Sequence, residues 1–565
     1  MLYMDEYKRW CDKATIYDDI VAELKKNVDD NAKIEDAFYR NLVFGTGGIR
    51  GKIGAGTNRM NVYTVAKATQ GLSNYLNKKF SLPSVSIGYD SRIKSDLFSQ
   101  ITAAVFAANG VRVNLWPSLN PVSTVSFATR YLHTSAGVMI TASHNPSEYN
   151  GYKVYNADGC QITTEAATEI FAEIEKLDIF DDVKLVSFED GIDKGMITYI
   201  KDNVLTAFIE DVKGQSVLFG DFVNKNLAIV YSPLNGTGYI PVTRTLKEMG
   251  YTNITLVEEQ RLPDGNFPTC PYPNPESKEA MALGMEYAKN INADLFLATD
   301  PDCDRVGIAV KDKEGNYQQL SGNEIGVLLL DYICSQRIKH DKMPADPVMI
   351  KTIVSSDMCE LIATNYGVRT IEVLTGFKFI GEQIGLLEEL GKENSFVFGF
   401  EESYGYLSGE YVRDKDAVGG AYLMCEMFSY YLTQGINLFE KLEKLFDEYG
   451  YYFNTLHSYE FEGAAGFSKM QDIMKNLREE VGIGLKRDRF AGKKIHTVLD
   501  YNKGIDGLPK SNVLKYLIDG NCSVVVRPSG TEPKLKAYIC VIAKAKDEAV
   551  EIEKKITGEL GEYFK

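Results

Sequence analysis

The pattern that most restricts how this chain can fold is an alternation of short apolar runs and helix-length segments that occurs three times. In the first copy, an apolar strand at residues 85–89 ends in Asp90-Ser91-Arg92. A helix follows over about 95–109, then a strand at 111–116 and a helix near 121–132. The run Ala136-Gly137-Val138-Met139-Ile140 closes the copy and stops at the polar loop Thr141-Ala142-Ser143-His144-Asn145-Pro146. The second copy opens with strand 227–231 and the turn Ser232-Pro233-Leu234-Asn235-Gly236-Thr237-Gly238. It passes through a helix to Met249, strand 253–257 and a helix over about 277–291. It closes with strand 294–298 and the loop Thr299-Asp300-Pro301-Asp302-Cys303-Asp304-Arg305. In the third copy, strand 348–353, a helix through Tyr366 and strand 370–374 lead to a helix opened by Thr375-Gly376-Phe377-Lys378. Strand 396–398 then ends in Gly399-Phe400-Glu401-Glu402-Ser403-Tyr404-Gly405. Strands alternating with helices predict α/β domains with largely parallel pairing.

Three units that each close on a strand and a polar loop predict three related mixed α/β domains around a central cleft. Beyond Tyr451 the pattern changes. A strand at 455–461, a helix near 468–481 and a strand at 523–526 describe a smaller C-terminal α+β domain. The expected domains are 1–205, 206–322, 323–450 and 451–565, within the three to five or so that this length supports. Residues 1 to about 40 read as helix, with Tyr7, Trp10, Ile20, Ala22 and Leu24 set among charges.

The net charge of -16 argues against nucleic acid or an anionic membrane as the principal partner. Nine cysteines are dispersed with no C-x-x-C pair, which fits a reducing compartment and no structural zinc. No run of 18 uncharged apolar residues occurs, and Met1-Leu2-Tyr3-Met4-Asp5-Glu6 lacks the basic and apolar regions of a signal peptide. These points predict a cytoplasmic protein without nucleic-acid or membrane partners, which can still take an anionic substrate where basic residues gather locally. Its oligomeric state is not written in these patterns.

The strand-end loops carry the chemistry. Pro146 ends the first loop's strand, so Ser143 sits at a strand end as either an ordinary turn residue or a nucleophile. His144 could orient groups beside it, and Lys153 offers a nearby cation. Asp300, Asp302 and Asp304 alternate behind a buried run, and carboxylates so close repel one another unless a cation lies between them. Their all-oxygen donor set points to Mg²⁺, Mn²⁺ or Ca²⁺, and Arg305 and Lys311 stand where an EF-hand loop needs Gly and Glu. Arg527, Ser529, Gly530, Thr531 and Lys534 combine a guanidinium, hydroxyls and an exposed backbone suited to a phosphate that is not being cleaved. Glu401 and Ser403 offer the acceptor and hydroxyl that hold vicinal sugar hydroxyls. Lys378, at a helix start, could act as a base if burial lowers its pKa, or simply bind phosphate. Phe44-Gly45-Thr46-Gly47-Gly48-Ile49-Arg50-Gly51 reads as a glycine-rich loop with no preceding strand, where Arg50 could meet a phosphate.

Together these loops resemble the α-D-phosphohexomutase superfamily. Thr141-Ala142-Ser143-His144-Asn145-Pro146 is similar to its phosphoserine loop and Asp300-Pro301-Asp302-Cys303-Asp304-Arg305 to its metal loop. Glu401-Glu402-Ser403 resembles its sugar loop, and Arg527-Pro528-Ser529-Gly530-Thr531-Glu532-Pro533 its phosphate loop. The glycine-rich segment and Thr375-Gly376-Phe377-Lys378 resemble the phosphoglucomutase and phosphopentomutase branch. Phe400 stands where many glucose-specific members carry glycine, and Glu402 argues against mannose as the preferred sugar. The resemblance implies reversible transfer between the C1 and C6 phosphates of glucose through a phosphorylated Ser143 and glucose 1,6-bisphosphate. It implies Mg²⁺ on Ser143, Asp300, Asp302 and Asp304, and sugar phosphates as the small-molecule partners. Lys378 is the implied base, with Lys153 or His144 as alternatives, and Arg50 and Lys153 the cations on the transferring group. Thr46, Arg305, Thr375, Gly376, Glu401, Ser403, Arg527, Ser529, Gly530 and Thr531 are the implied substrate-binding set. A phosphopentomutase and a hexose bisphosphate synthase are the nearest alternatives; a non-catalytic sugar-phosphate binder is a further one.

Overall fold

The computed structural model describes residues 2–45, 47–461, 463–505, 507–529 and 534–564. The chain divides into two compact units. One comprises Met1–Ser321, Phe377–Gly399 and Ser403–Thr433, the other Gly322–Gly376, Phe400–Glu402 and Gln434–Lys565.

The first unit begins with three helices, Leu2–Lys13, Asp18–Lys26 and Asn31–Phe38, rather than one continuous segment. Asp30 starts the third by accepting from the backbone N–H of Lys33, the usual N-cap device. Their apolar faces close on Trp10, which is fully buried and meets Phe38, Tyr63 and Phe180 edge-on.

Two sheets follow. The first contains β1 (Gly48–Lys52), β2 (Ser84–Tyr89), β3 (Arg112–Leu115), β4 (Ala136–Ile140), β5 (Tyr149–Asn156) and β6 (Ile197–Tyr199), in the order β1-β5-β4-β2-β3-β6. Parallel pairing joins β4, β2, β3 and β6. The second contains β7 (Ile229–Ser232), β8 (Ile254–Leu256), β9 (Leu295–Thr299), β10 (Val306–Lys311) and β11 (Tyr317–Gln319), in the order β11-β10-β9-β7-β8. β4 and β9 are buried along their whole length, which is why both read as unbroken apolar runs.

The expectation of largely parallel sheets holds on one side of each, from β4 through β2 and β3 to the edge strand β6 and from β9 through β7 to the edge strand β8. β5 runs antiparallel to β4 and to β1, and β10 runs antiparallel to β9. The serine loop and the aspartate loop each turn the chain straight back alongside the strand that delivered it, and a short loop permits only antiparallel return. The glycine-rich segment is likewise not all loop, because its second half is the edge strand β1. At Gly48, with φ +121°, a Cβ would lie 1.8 Å from the carbonyl oxygen of Tyr152, so only glycine allows that pairing.

In the second unit β12 (Val348–Thr352) and β13 (Arg369–Val373) pair in parallel. β14 (Phe396–Glu401) crosses from the first unit into the second, and β15 (Gly405–Leu407) lies in the first. Phe400 is fully buried against Gly326. The C-terminal sheet holds β16 (Tyr451–Glu460), β17 (Arg489–Phe490), β18 (Lys493–Asp500), β19 (Leu514–Ile518), β20 (Cys522–Pro528) and β21 (Lys534–Ala543). Its order is β16-β21-β20-β19-β18-β17 with antiparallel pairing throughout, and Met474, Leu477, Ile556 and Leu560 pack its apolar face. Among the described residues no helix is long and apolar enough to cross a membrane.

Candidate active site

Two loops from different sheets of the first unit meet. Ser143 follows β4, is buried, and adopts a left-handed backbone with φ 52°. Such a conformation is uncommon outside glycine, and local bonds must hold it. The Ser143 hydroxyl donates to Asp300 Oδ2 at 2.8 Å and lies 3.1 Å from His144 Nδ1. Its N–H donates to Thr141 Oγ1 at 2.8 Å, and that hydroxyl reaches Asp90 Oδ2 at 2.6 Å and Asp302 Oδ2 at 3.2 Å.

Asp300, Asp302 and Asp304 are all buried, with carboxylate oxygens within 4.8 Å of one another. Three features make this charge tolerable. Asp300 Oδ1 accepts from the backbone N–H groups of Asp304 and Arg305 at 3.0 Å each. Lys153 Nζ reaches Asp302 Oδ2 at 2.8 Å and Asp304 Oδ2 at 3.3 Å, while Lys415 Nζ reaches Asp304 Oδ2 at 3.1 Å. Two helices, Val122–Tyr131 and Ala417–Thr433, aim their N-termini at the loop: Val122 N–H donates to the Asp302 carbonyl at 2.9 Å and Ala417 N–H to that of Cys303 at 3.3 Å. Helix N-termini favour nearby negative charge.

The electrostatics follow this geometry. Burial pushes the Asp300 carboxyl well above its ordinary range, and Asp304 and Asp302 add to the effect. Burial works against charge on Asp304 too, but Lys415, Lys153 and Arg305 hold it below the usual carboxylate range. Burial opposes the Lys153 ammonium, yet Asp302 and Asp304 raise its pKa. Asp302 Oδ1 and Asp304 Oδ1 are buried with no hydrogen-bond partner, while both Oδ2 atoms are taken by lysines. Buried, unsatisfied carboxylate oxygens beside a serine hydroxyl fit a hard divalent cation with oxygen ligands.

Arg305 lies at the end of the same loop, 3.7 Å from Glu276 and 3.9 Å from Asp304 Oδ1. Arg50, on β1, donates to the Asn145 side chain at 3.1 Å and so borders the serine loop. Lys378 lies elsewhere in this unit, at the start of the helix Phe377–Glu389, where its carbonyl accepts from Cys160 Sγ at 3.3 Å. Burial lowers its pKa to about 8, against the opposing effect of Cys160 and Glu382. Ser403 occupies the half-buried turn after β14.

In the second unit, Glu401 Oε1 accepts from the Gly376 N–H at 2.8 Å, and the Thr375 hydroxyl beside it is buried without a hydrogen-bond partner. Glu402 accepts from Thr352 Oγ1 at 3.2 Å, and burial, reinforced by Glu401, raises its carboxyl to about 7. Arg527 stands near the end of β20 with its Nε buried and unbonded, and Ser529 N–H donates to the Lys534 carbonyl at 2.7 Å. Thr46, Gly530 and Thr531 lie outside the described residues. This unit also buries Lys351 completely, with Asp357 at 2.9 Å, Glu360 at 3.0 Å and Glu372 at 2.8 Å, and Lys515 beside Glu372 at 3.3 Å.

The sequence reading missed Lys415, Thr141 and Asp90. Lys415 belongs to Arg413-Asp414-Lys415-Asp416, which looks like a solvated charge run. Three of the four charges have buried partners instead: Lys415 has Asp304, Asp414 takes the Tyr155 hydroxyl at 2.8 Å and Asp416 the Ser123 hydroxyl at 2.9 Å. No local pattern gives those partners.

The family models described as phosphoglucomutase/phosphomannomutase alpha/beta/alpha domains I, II and III match residues 41–179, 206–315 and 321–449. The chain is 38% identical to a phosphoglucomutase of Staphylococcus aureus (strain MRSA252) over 511 residues, covering 89% of this chain and 90% of that one. It is 36% identical to a phosphoglucomutase of Staphylococcus haemolyticus over 516 residues, covering 89% and 91%. Among solved structures it shares its fold with a putative phosphomannomutase from Thermus thermophilus (TM-score 0.68, 19% identity, 93% and 99% coverage). The same holds for parafusin, a phosphoglucomutase from Paramecium (TM-score 0.67, 17% identity, 93% and 95% coverage). Three α/β/α domains and a sheet-bearing C-terminal domain, joined to these sequence matches, place the chain in the phosphoglucomutase/phosphomannomutase family of the α-D-phosphohexomutase superfamily.

Proposed function

We propose that this chain is a phosphoglucomutase, interconverting glucose 1-phosphate and glucose 6-phosphate through phosphoryl transfer on Ser143. The observation that carries the reading is the Ser143 hydroxyl, 2.8 Å from Asp300 in a buried triad whose Asp302 and Asp304 Oδ2 atoms are paired with Lys153 and Lys415. Relatives called phosphoglucomutases, 36–38% identical over about nine-tenths of the chain, support glucose as the sugar. The burial of Phe400 in the core supports it too, because the departure from glycine there adds no side chain to the surface of the sugar loop.

In the resting enzyme Ser143 carries the phosphoryl group. Asp300, Asp302, Asp304 and a phosphoserine oxygen would hold Mg²⁺, which supplies Lewis-acid neutralisation of the transferring group. The free 6-hydroxyl of glucose 1-phosphate attacks the phosphoserine phosphorus and the bond to Ser143 Oγ breaks. Lys378 takes the hydroxyl proton, which its lowered pKa of about 8 suits; Lys153 and His144 are the alternatives. Lys153 and Arg50 stabilise charge on the phosphoryl group in flight, with Arg305 on the metal side. Glucose 1,6-bisphosphate forms, reorients, and returns its C1 phosphoryl group to Ser143 Oγ as the bond to the C1 oxygen breaks, and Lys378 gives its proton back to that oxygen, releasing glucose 6-phosphate. Glu401 and Ser403 hold vicinal sugar hydroxyls, assisted by the Thr375-Gly376 segment and Thr46. Arg527, Ser529, Gly530 and Thr531 bind the phosphate that is not transferred. We also place the enzyme in the cytoplasm, without nucleic-acid or membrane partners, on its charge of -16 and nine free thiols.

The test is kcat/KM on glucose 1-phosphate, ribose 1-phosphate and mannose 1-phosphate, with intact-mass detection of phosphate on Ser143. Preference for glucose 1-phosphate and a phosphorylated Ser143 are expected. Preference for the pentose, or full turnover by Ser143→Ala, would overturn the reading.

A further inference from the structure

Arg92 is fully buried, and its guanidinium has no opening to solvent. Nε donates to the Ser143 carbonyl at 3.2 Å, and Nη2 donates to the same carbonyl at 2.5 Å and to that of Asn145. Nη1 donates to the carbonyls of Pro146 and Tyr149, each at 2.9 Å. A guanidinium has five N–H donors in a fixed planar fork. Here all five are spent on backbone oxygens of the loop that carries Ser143 and of Tyr149, the first residue of β5.

The same turn holds the other side of that residue. Asp90 accepts from Thr141 Oγ1, and Thr141 Oγ1 accepts the Ser143 N–H. Both backbone groups of Ser143 are thus fixed by the Asp90-Ser91-Arg92 turn, the N–H through one relay and the carbonyl directly. A serine at φ 52° persists only when its surroundings over-determine it. The turn is itself packed in place: the face of Phe267 lies 5.1 Å from the Arg92 guanidinium, and a Cβ on Gly265 would come within 2.5 Å of the Ile93 nitrogen. Burial lowers even this guanidinium, to about 10, against the pull of Asp90.

We propose that Arg92 is a positioning residue for the phosphoryl transfer: it aims Ser143 Oγ at Asp300 by clamping the carbonyls of residues 143, 145, 146 and 149, and does not touch substrate. The inference rests on the phosphoserine reading of Ser143. It also assigns a use to the Asp90-Ser91-Arg92 motif other than phosphate binding, because Arg92 keeps no donor for an anion.

Arg92→Lys keeps the charge and removes the fork, while Arg92→Ala leaves a guanidinium-sized space. Turnover of glucose 1-phosphate is measured in a coupled assay on the full chain, beside the rate at which dephosphorylated enzyme takes up phosphate from glucose 1,6-bisphosphate, read by intact mass. Misplacement by about 1 Å costs on the order of 10²-fold in rate. Both variants are therefore expected to lose roughly that factor in kcat and in phosphate uptake while KM for glucose 1-phosphate stays within about threefold of wild type. Added guanidinium ion should restore part of the Arg92→Ala loss and none of that of Arg92→Lys, whose side chain fills the space. A merely structural role would lower the melting temperature without that split or that rescue.

A folded Arg92→Lys enzyme with kcat within about threefold of wild type overturns the proposal, as does a KM that rises in proportion to the lost efficiency. If Arg92→Ala does not fold, Arg92→Lys alone decides. An inactive Ser143→Ala enzyme beside an unimpaired Arg92→Lys enzyme refutes only the role of Arg92. An active Ser143→Ala enzyme refutes the phosphoserine reading beneath it.

Discussion

Replacing Lys351 by methionine keeps the length of the side chain and deletes its charge. The ammonium lies 2.8–3.0 Å from three carboxylates, with Lys515 left as the nearest remaining cation. At an effective dielectric constant near 20, each such contact is worth about 6 kcal/mol before desolvation. Removing one partner of a buried ion pair costs about 3–5 kcal/mol in practice. The three carboxylate side chains are 27%, 47% and 34% exposed, so water recovers part of the loss. We therefore expect the low end, about 3 kcal/mol. For a domain of roughly 150–250 residues that lowers the melting temperature by about 6–12 °C.

The pH dependence fixes the cause. In the wild type, burial raises the Asp357 and Glu372 carboxyls, but Lys351 and Lys515 outweigh it and hold both below their ordinary values. The folded pKa values are depressed, so the native ion pairs stabilise above the unfolded pKa of about 4 and fade as pH falls through the folded values. In the variant, burial and mutual repulsion are opposed by Lys515 alone. The folded carboxyls rise, and the native state gains relative stability as they protonate. The deficit measured at pH 7.5 should thus shrink steadily toward pH 5 in thermal melts of the two proteins. A shift under about 3 °C at pH 7.5 would refute the argument, as would a deficit that widens on acidification.

Three further outcomes test the first unit. Asp302→Asn keeps shape but removes one carboxylate from the triad; mutase activity should fall at least about 10²-fold and Mn²⁺ affinity, read by electron paramagnetic resonance, at least about tenfold. Lys378 as base predicts a kcat/KM that rises with pH and levels off above about 8, because only the neutral amine accepts a proton, and Lys378→Arg should abolish that inflection. Gly48→Ala should destabilise the protein by about 2 kcal/mol or more in urea unfolding, since its Cβ meets the backbone oxygen of Tyr152, which cannot move without breaking the pairing of β1 with β5; an unchanged midpoint would show that the edge strand tolerates displacement.

The sequence made the α/β alternation visible because β4 and β9 are buried on both faces and so are apolar without interruption. It also exposed Ser143 and the three aspartates, whose residue types and spacing are chemically unusual in a short segment. β5 and β10 escaped notice because the information that makes them strands is the partner beside them. Tyr149-Asn150-Gly151-Tyr152-Lys153 has no alternation of its own and is a strand because β1 and β4 flank it. Lys415 was missed for the same reason, since its partner Asp304 comes from a distant part of the chain. Arg92 was visible only as the last residue of Asp90-Ser91-Arg92 at a strand end, and nothing in that position gave it a role. Its saturation by carbonyls is a property of the folded loop alone.

The serine and aspartate loops are both carried between two strands that pair antiparallel immediately beneath them. The ladder bonds below each loop join backbone to backbone and do not depend on what the loop displays. Ser143 and the three aspartates therefore lie outside the ladders, while Arg50 and Lys153 reach the site from the strands themselves. A lineage built on this scaffold can alter what a loop presents and keep the ladder that supports it, so new substrate preferences can be explored by small changes at strand ends while the fold stays as it is.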